Sequence, residues 1–154
     1  MQIKAKSTTF AADLGRIIAI DYGKKRVGIA ASDELRLVAG ALGTFSPSEA
    51  LKFLQQYAAT QKVDTLVVGY PLNLNGTPAE AAAGAAQFAK TLQKQHPQLT
   101  VTTFDERFTS RMAQQAIIDA GVKKKDRRNK ALVDKVSACI ILQSYMEYKR
   151  NGGT

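Results

Sequence analysis

Cysteine and histidine are almost missing from this chain, with one of each in 154 residues. A single Cys excludes an intramolecular disulfide framework and a cysteine-based zinc cage. A single His argues against His-rich metal sites and against Ser–His catalysis. No apolar run approaches the roughly 18 residues that cross a bilayer, so an integral membrane protein is not expected. The N-terminal stretch MQIKAKSTTFAADLG lacks the apolar core of roughly 7–15 residues that a secretory signal needs. A cytoplasmic location is the resulting expectation, and it suits a lone unpaired thiol.

Acidic residues are scarce as well. The 22 Lys and Arg outnumber 13 Asp and Glu, for a formal net charge of +9 and a pI near 9.8. Such an excess favours a polyanionic partner, with nucleic acid first and an anionic membrane surface second. The excess sits at the two ends of the chain. Residues 1–30 carry six basic and two acidic groups, residues 31–100 carry five of each, and residues 101–154 carry eleven and six. The apolar share of 45% and charged share of 23% are those of a globular protein with a sizeable core. The length predicts one domain: residues 16–150, preceded by a flexible extension over 1–15 and followed by a disordered tail at 151–154.

The hydrophobic pattern predicts the order β-β-β-α-β-α-β-α-α. Arg16–Tyr22 (RIIAIDY) and Val27–Ser32 (VGIAAS) read as a hairpin about the Gly23-Lys24-Lys25 turn. Val38–Phe45 reads as a third strand. Ser46-Pro47-Ser48-Glu49 is a capping box with Pro at the first helical position, opening a helix to about Thr60. Asp64–Tyr70 (DTLVVGY) is a continuous apolar strand of the kind covered on both faces. Thr77-Pro78-Ala79-Glu80 repeats the capping signal ahead of an Ala-rich helix that His96-Pro97 stops near Gln95. Leu99–Phe104 alternates as a strand. Helices are expected over Ser110–Ala120 and Ala131–Tyr148, joined by a basic connector at 122–130. This order argues for an α/β fold with a mixed sheet and helices on both faces.

Three acidic positions stand out. Asp21 ends an apolar strand, where burial is costly without a cation and where open α/β sheets place their sites; it serves equally well as a cap for the Gly23 turn. Asp105 and Glu106 close a later strand in the same way, with Arg107 beside them for a local ion pair or a phosphate contact. The strands near 16 and 99 can come close only through the strand at 64–70. Asp134 lies in the first turn of the last helix, where the dipole favours a carboxylate, and it borders the apolar stripe of Leu132, Val133, Val136 and Ile140. Three carboxylates from distant segments of a basic protein suit a Mg²⁺ or Mn²⁺ phosphodiester site, with two ions activating water and stabilising the leaving oxygen. Lys24, Lys25 and Arg26 follow Asp21 directly. Lys123, Lys124, Lys125, Arg127, Arg128 and Lys130 put six basic residues in eight. Each group is a solvated surface or a grip on phosphate. Cys139 and Met146 are expected to pack, and His96 is expected at the surface.

Four stretches together resemble the YqgF/RuvX family of bacterial RNase H-like proteins, described as Holliday junction resolvases or pre-16S rRNA nucleases. They are IAIDYGKKRVGIAASD at 18–33, VVGYPLNLNGTPAEAA at 67–82, FDERFTSRMA at 104–113 and KALVDKVSACIILQSYME at 130–147. The resemblance implies an RNase H-like fold, with a mixed five-stranded sheet flanked by helices on both faces. It implies a metal site built from the acidic residues of the DYG, DER and VDK segments, here Asp21, Glu106 and Asp134, with Asp105 the alternative to Glu106. Gly76-Thr77-Pro78 matches the family loop before the second helix and is expected to shape a substrate groove. The family more often has Leu-Pro-Leu where this chain has Tyr70-Pro71-Leu72, and often two Ala where this chain has Ser137-Ala138; neither change touches a proposed ligand.

The implied activity is a metal-dependent nuclease on structured RNA, in maturation of the 5′ end of 16S rRNA. A DNA junction resolvase is the alternative, and two cuts across a four-way junction would require a homodimer where RNA trimming allows a monomer. A non-catalytic, transcription-associated nucleic-acid-binding factor is the third reading. For the connector, neutralising Lys123, Lys124 and Lys125 together should weaken binding to any nucleic acid sequence. The log–log salt dependence should flatten by up to about three units, measurable by titration at several ionic strengths; an unchanged slope would remove the connector from the interface.

Overall fold

The computed structural model describes residues 15–73, 75–109, 115 and 130–152, without the side chains of Phe108 and of residues 130–135. The expected extension at 1–15, the expected helix over 110–120 and the connector at 122–130 therefore lie, apart from Gly15, Gln115 and the Lys130 backbone, outside the described residues.

Five strands form one sheet: β1 (Arg16–Tyr22), β2 (Val27–Ser32), β3 (Ala39–Phe45), β4 (Val63–Tyr70) and β5 (Thr100–Asp105). Their order across the sheet is β3-β2-β1-β4-β5. The β1–β2 and β2–β3 pairs are antiparallel, while β1–β4 and β4–β5 are parallel. The sheet is thus mixed, and β4 does bridge β1 and β5. In register, Ile20 lies opposite Val68, and Gly69 opposite Phe104. The C-terminal ends of β1, β4 and β5 therefore open on one edge.

Period-two alternation sends side chains to two cores. Ile18, Ile20, Leu66 and Val68 face one side, where they meet Ala50 and Leu54 of α1 (Pro47–Thr60) and Ala85, Phe88 and Leu92 of α2 (Ala82–Gln95). Ile17, Ala19, Val67 and Phe104 face the other, against Ala138, Ile141, Leu142 and Met146 of α3 (Lys130–Arg150). Ile18, Ile20, Leu66, Val68, Leu92 and Leu142 are essentially inaccessible, each contributing roughly 1.5–3 kcal/mol. Among the described residues no helix is long and apolar enough to cross a membrane.

The capping box at Ser46 forms as expected. Its Oγ accepts from the Glu49 amide at 3.3 Å, and Glu49 Oε1 accepts from the Ser46 amide at 3.0 Å. The second capping signal does not. The Thr77 amide and hydroxyl both donate to Asn75 Oδ1, at 3.0 and 2.7 Å, and the hydroxyl also accepts from Asn73 Nδ2 at 3.0 Å. Thr77 is thereby consumed inside its loop, and α2 starts later, at Ala82, without a side-chain cap. The amides of Asn151 and Gly152 donate to the carbonyls of Glu147 and Lys149, closing the end of α3 as a turn.

His96, expected at the surface, is buried at 4% exposure. Its amide caps α2 by donating to the Leu92 carbonyl at 2.8 Å, and its Nε2 has no hydrogen-bond partner among the described residues. Burial lowers its pKa below the ordinary imidazole value. Above about pH 6.5 folded and unfolded chains both carry a neutral ring. Below it the unfolded chain takes a proton that the buried ring resists, so stability falls as pH drops. Urea denaturation at about pH 7.5 and 5.5 should show that loss, and His96→Gln should flatten it.

Candidate active site

Asp21 is the next-to-last residue of β1, opposite Gly28 of β2. Ile17 and Ala19 face α3, so alternation puts Asp21 on the α3 face, half-buried. Tyr22, on the opposite face, fixes this strand end. Its ring lies 5.0 Å from that of Phe88 and presses on Gly84, where a Cβ would come within 2.7 Å of it.

Glu106 follows the end of β5 and opens a 3-10 turn, Glu106–Phe108. Its side chain folds back across the sheet edge to Gly69 of β4. A Cβ at position 69 would lie 2.7 Å from Glu106 Oε2 and 2.6 Å from Ile141 Cδ1 of α3. The absence of a side chain at position 69 leaves room for the carboxylate and for the tip of Ile141 where they sit. Continuing the β1–β4 register places Asp21 level with Gly69. Both carboxylates thus serve the same face of the same edge. Gly69 went unnoticed in the sequence, although a glycine inside an apolar strand is a recognised sign of close approach.

The structure separates Asp105 from Glu106. The Asp105 carboxylate accepts from the Arg107 amide at 2.9 Å, and the Arg107 guanidinium grips it through Nε, at 3.1 Å to each oxygen, and Nη2, at 2.7 Å. Those bonds hold the Asp105 pKa low. Glu106 is shifted the other way, raised first by burial and then by the negative charge of Asp105. Among the described residues no cation is paired with it, and one would relieve it. Asp105 has its counter-charge already, which makes Glu106 the better candidate ligand.

The third candidate, Asp134, lies in α3 one turn before Ala138 and two before Ile141, the register that meets the sheet; its side chain is outside the described residues. Among the described residues no three His, Cys, Asp or Glu side chains gather as a metal cluster. The described part of the site is the pair Asp21 and Glu106.

Of the basic candidates, Lys24 and Lys25 are exposed and Arg26 half-buried in the β1–β2 turn, on the same sheet edge. Arg107 is bound to Asp105, with its Nη1 beside the Gly76 turn, so its charge is largely spent locally. Lys123, Lys124, Lys125, Arg127, Arg128 and the Lys130 side chain are outside the described residues.

The shift of Glu106 gives a stability prediction for metal-free protein. At pH below its ordinary value of 4.5 the group is protonated in both states. As pH rises, the unfolded chain ionises first and stability is lost. Glu106→Gln should therefore unfold at higher denaturant than the parent near neutrality, with the gain shrinking toward pH 4.5. A destabilised variant at pH 7 in EDTA would contradict the stated environment.

The family model described as "RuvX: Holliday junction resolvase" matches residues 15–148. Relatives named "Putative pre-16S rRNA nuclease" include one from Bacteroides thetaiotaomicron, 47% identical over 137 residues, covering 89% of this chain and 99% of the relative. Another, from Christiangramia forsetii, is 45% identical over 133 residues, covering 86% and 98%. Among solved structures, Thermus thermophilus RuvC in complex with a Holliday junction substrate superposes with a TM-score of 0.57 at 13% identity, covering 90% of this chain and 96% of that one. A second Thermus thermophilus RuvC structure gives 0.52 at 14% identity, covering 89% and 96%. At such identities the likeness establishes the fold, which is RNase H-like. With a match across nearly its whole described length, the chain belongs to the RuvX family.

Proposed function

We propose that this protein is a divalent-metal-dependent nuclease that hydrolyses phosphodiester bonds, most naturally in pre-16S rRNA. The observation that carries the reading is Glu106, a half-buried carboxylate paired with no cation among the described residues, held over Gly69 at the strand-end edge that also bears Asp21. The names of the relatives supply the substrate.

Asp21 and Glu106, with Asp134 from α3, would hold Mg²⁺ or Mn²⁺, whose hard preference matches an all-oxygen donor set. When bound, such ions activate water and offset charge on the scissile phosphate. The protein's own part is positional. Tyr22 against Gly84 and Phe88 fixes the end of β1. Gly69 admits the Glu106 carboxylate. Arg107 neutralises Asp105, so that one carboxylate rather than two adjacent ones faces the site. Lys24 and Lys25 offer exposed cations for flanking phosphates. A DNA junction resolvase is the second reading, favoured by the description of the matching family; it needs two sites and hence a dimer.

The test is a parallel cleavage assay with Mg²⁺ or Mn²⁺ on a precursor 16S rRNA 5′ fragment and a synthetic four-way DNA junction. Metal-dependent cutting of the RNA, abolished by Asp21→Asn and by Glu106→Gln, is the expected result. Gly69→Ala, which displaces a ligand without removing it, should cost about 10- to 100-fold in activity. Symmetric cutting of the junction alone would favour the resolvase. Binding without cutting of either would leave a non-catalytic factor.

A further inference from the structure

Two clefts on the α3 side of the sheet meet at Tyr145. The first, about 480 Å³, has a floor of Ile17, Thr65 and Thr100 at the starts of β1, β4 and β5, with Met146, Lys149 and Arg150 of α3 along its wall. The second, about 280 Å³, runs beside β5 from Thr102 to Asp105, between Tyr70 and Tyr148. Together they follow β5 for its length, roughly 17 Å at ~3.3 Å per residue, and end at the residue next to Glu106.

The lining is unusual in its order. Phe104 stands between two tyrosines, its ring edge-on to Tyr145 at 5.8 Å and to Tyr148 at 5.9 Å. Tyr148 is 38% exposed. Lys149 and Arg150 are exposed at the far end. Arg36, also on that wall, is already committed: its Nε donates to the Gly15 carbonyl at 2.9 Å and its Nη2 pairs with Asp64, and these contacts hold its backbone at a left-handed φ of 59°. The mobile charge of the groove is thus positive and concentrated at Lys149 and Arg150. Those two also offset the helix dipole at the end of α3, but that role needs no aromatic side chains in line with them.

Aromatic faces followed by cations are the combination that binds single-stranded nucleic acid, bases stacking on rings while phosphates meet the cations. We infer that the α3–β5 groove holds a single-stranded segment of the nucleic acid whose scissile bond lies at Asp21 and Glu106. This rests on the nuclease reading and adds a substrate class to it: a structured duplex with an unpaired tail, the tail running along β5 away from the carboxylates.

The test measures binding in EDTA, so that no cleavage intervenes, by fluorescence anisotropy. The probes are an RNA hairpin with a blunt end and the same hairpin with a short single-stranded tail. The parent protein should bind the tailed RNA more tightly. Tyr148→Ala should weaken the tailed RNA by about 5- to 150-fold and leave the blunt one unchanged, while Tyr148→Phe, which keeps the ring, should behave as the parent. Lys149→Gln with Arg150→Gln should lower the salt slope for the tailed RNA by about 1.4.

Equal affinity of the parent for both hairpins, or an equal loss on both in Tyr148→Ala, would overturn the groove and leave the nuclease reading standing. No binding of either hairpin, with no cutting of RNA or junction, would overturn both. Sedimentation provides the remaining arm: a dimer of the parent that Tyr148→Ala dissociates would reassign the groove to contact between copies of this chain.

Discussion

Glu106 reaches across the end of β4 over position 69, which has no side chain, and the tip of Ile141 from α3 enters the same space. One glycine thus makes room for a carboxylate and for a helix side chain. The parallel order β1-β4-β5 turns that local fact into a candidate site, since Asp21 on β1 and Glu106 after β5 lie to either side of Gly69. A side chain at 69 would have to turn aside the tip of the acid, the tip of Ile141 or both, in an interior with little slack.

The electrostatics follow from the packing. A carboxylate brought into low dielectric beside another acid is unfavourable unless a cation joins it. Arg107 relieves Asp105 with a forked contact of the kind guanidinium forms best, and it leaves Glu106 unrelieved. This frustration lies at a strand end, where a cation can arrive from solvent. Lys24 and Lys25 lie exposed on the turn at the same edge, placed to draw a polyanion in. Strain of this sort is held at functional sites and offset by the two cores on either face of the sheet.

Much of the architecture was legible because it rests on local rules. Ser46-Pro47-Ser48-Glu49 states a helix start in four residues, and the helix starts there. DTLVVGY reads as a strand covered on both faces, and β4 is the centre of the parallel half of the sheet. The failures come from competition that sequence does not display. Thr77 has the letters of a cap, but Asn73 and Asn75 lie close enough to take its hydrogen bonds first. His96 has the neighbours of a surface residue, yet its ring is buried at the end of α2, which its backbone caps. The choice between Asp105 and Glu106 could not be made from adjacent letters, since it depends on which side chain Arg107 curls back to meet. Gly69 was visible only as an oddity in an apolar run, for its partner lies 37 residues further along the chain.

Helix α3 ties the candidate site to the proposed groove. It spans 21 residues, about 30 Å at ~1.5 Å per residue, and crosses β2, β3 and β1. Its early turns carry position 134 toward the acidic edge; its last turns carry Tyr145, Tyr148, Lys149 and Arg150 along the groove. Between them sits Ile141 against Gly69. In the proposed arrangement one helix thus runs between the carboxylate edge and the far end of the groove. The span from a bound tail to the scissile bond would then follow from the rise of α3 along the sheet, rather than from a flexible loop whose length could vary.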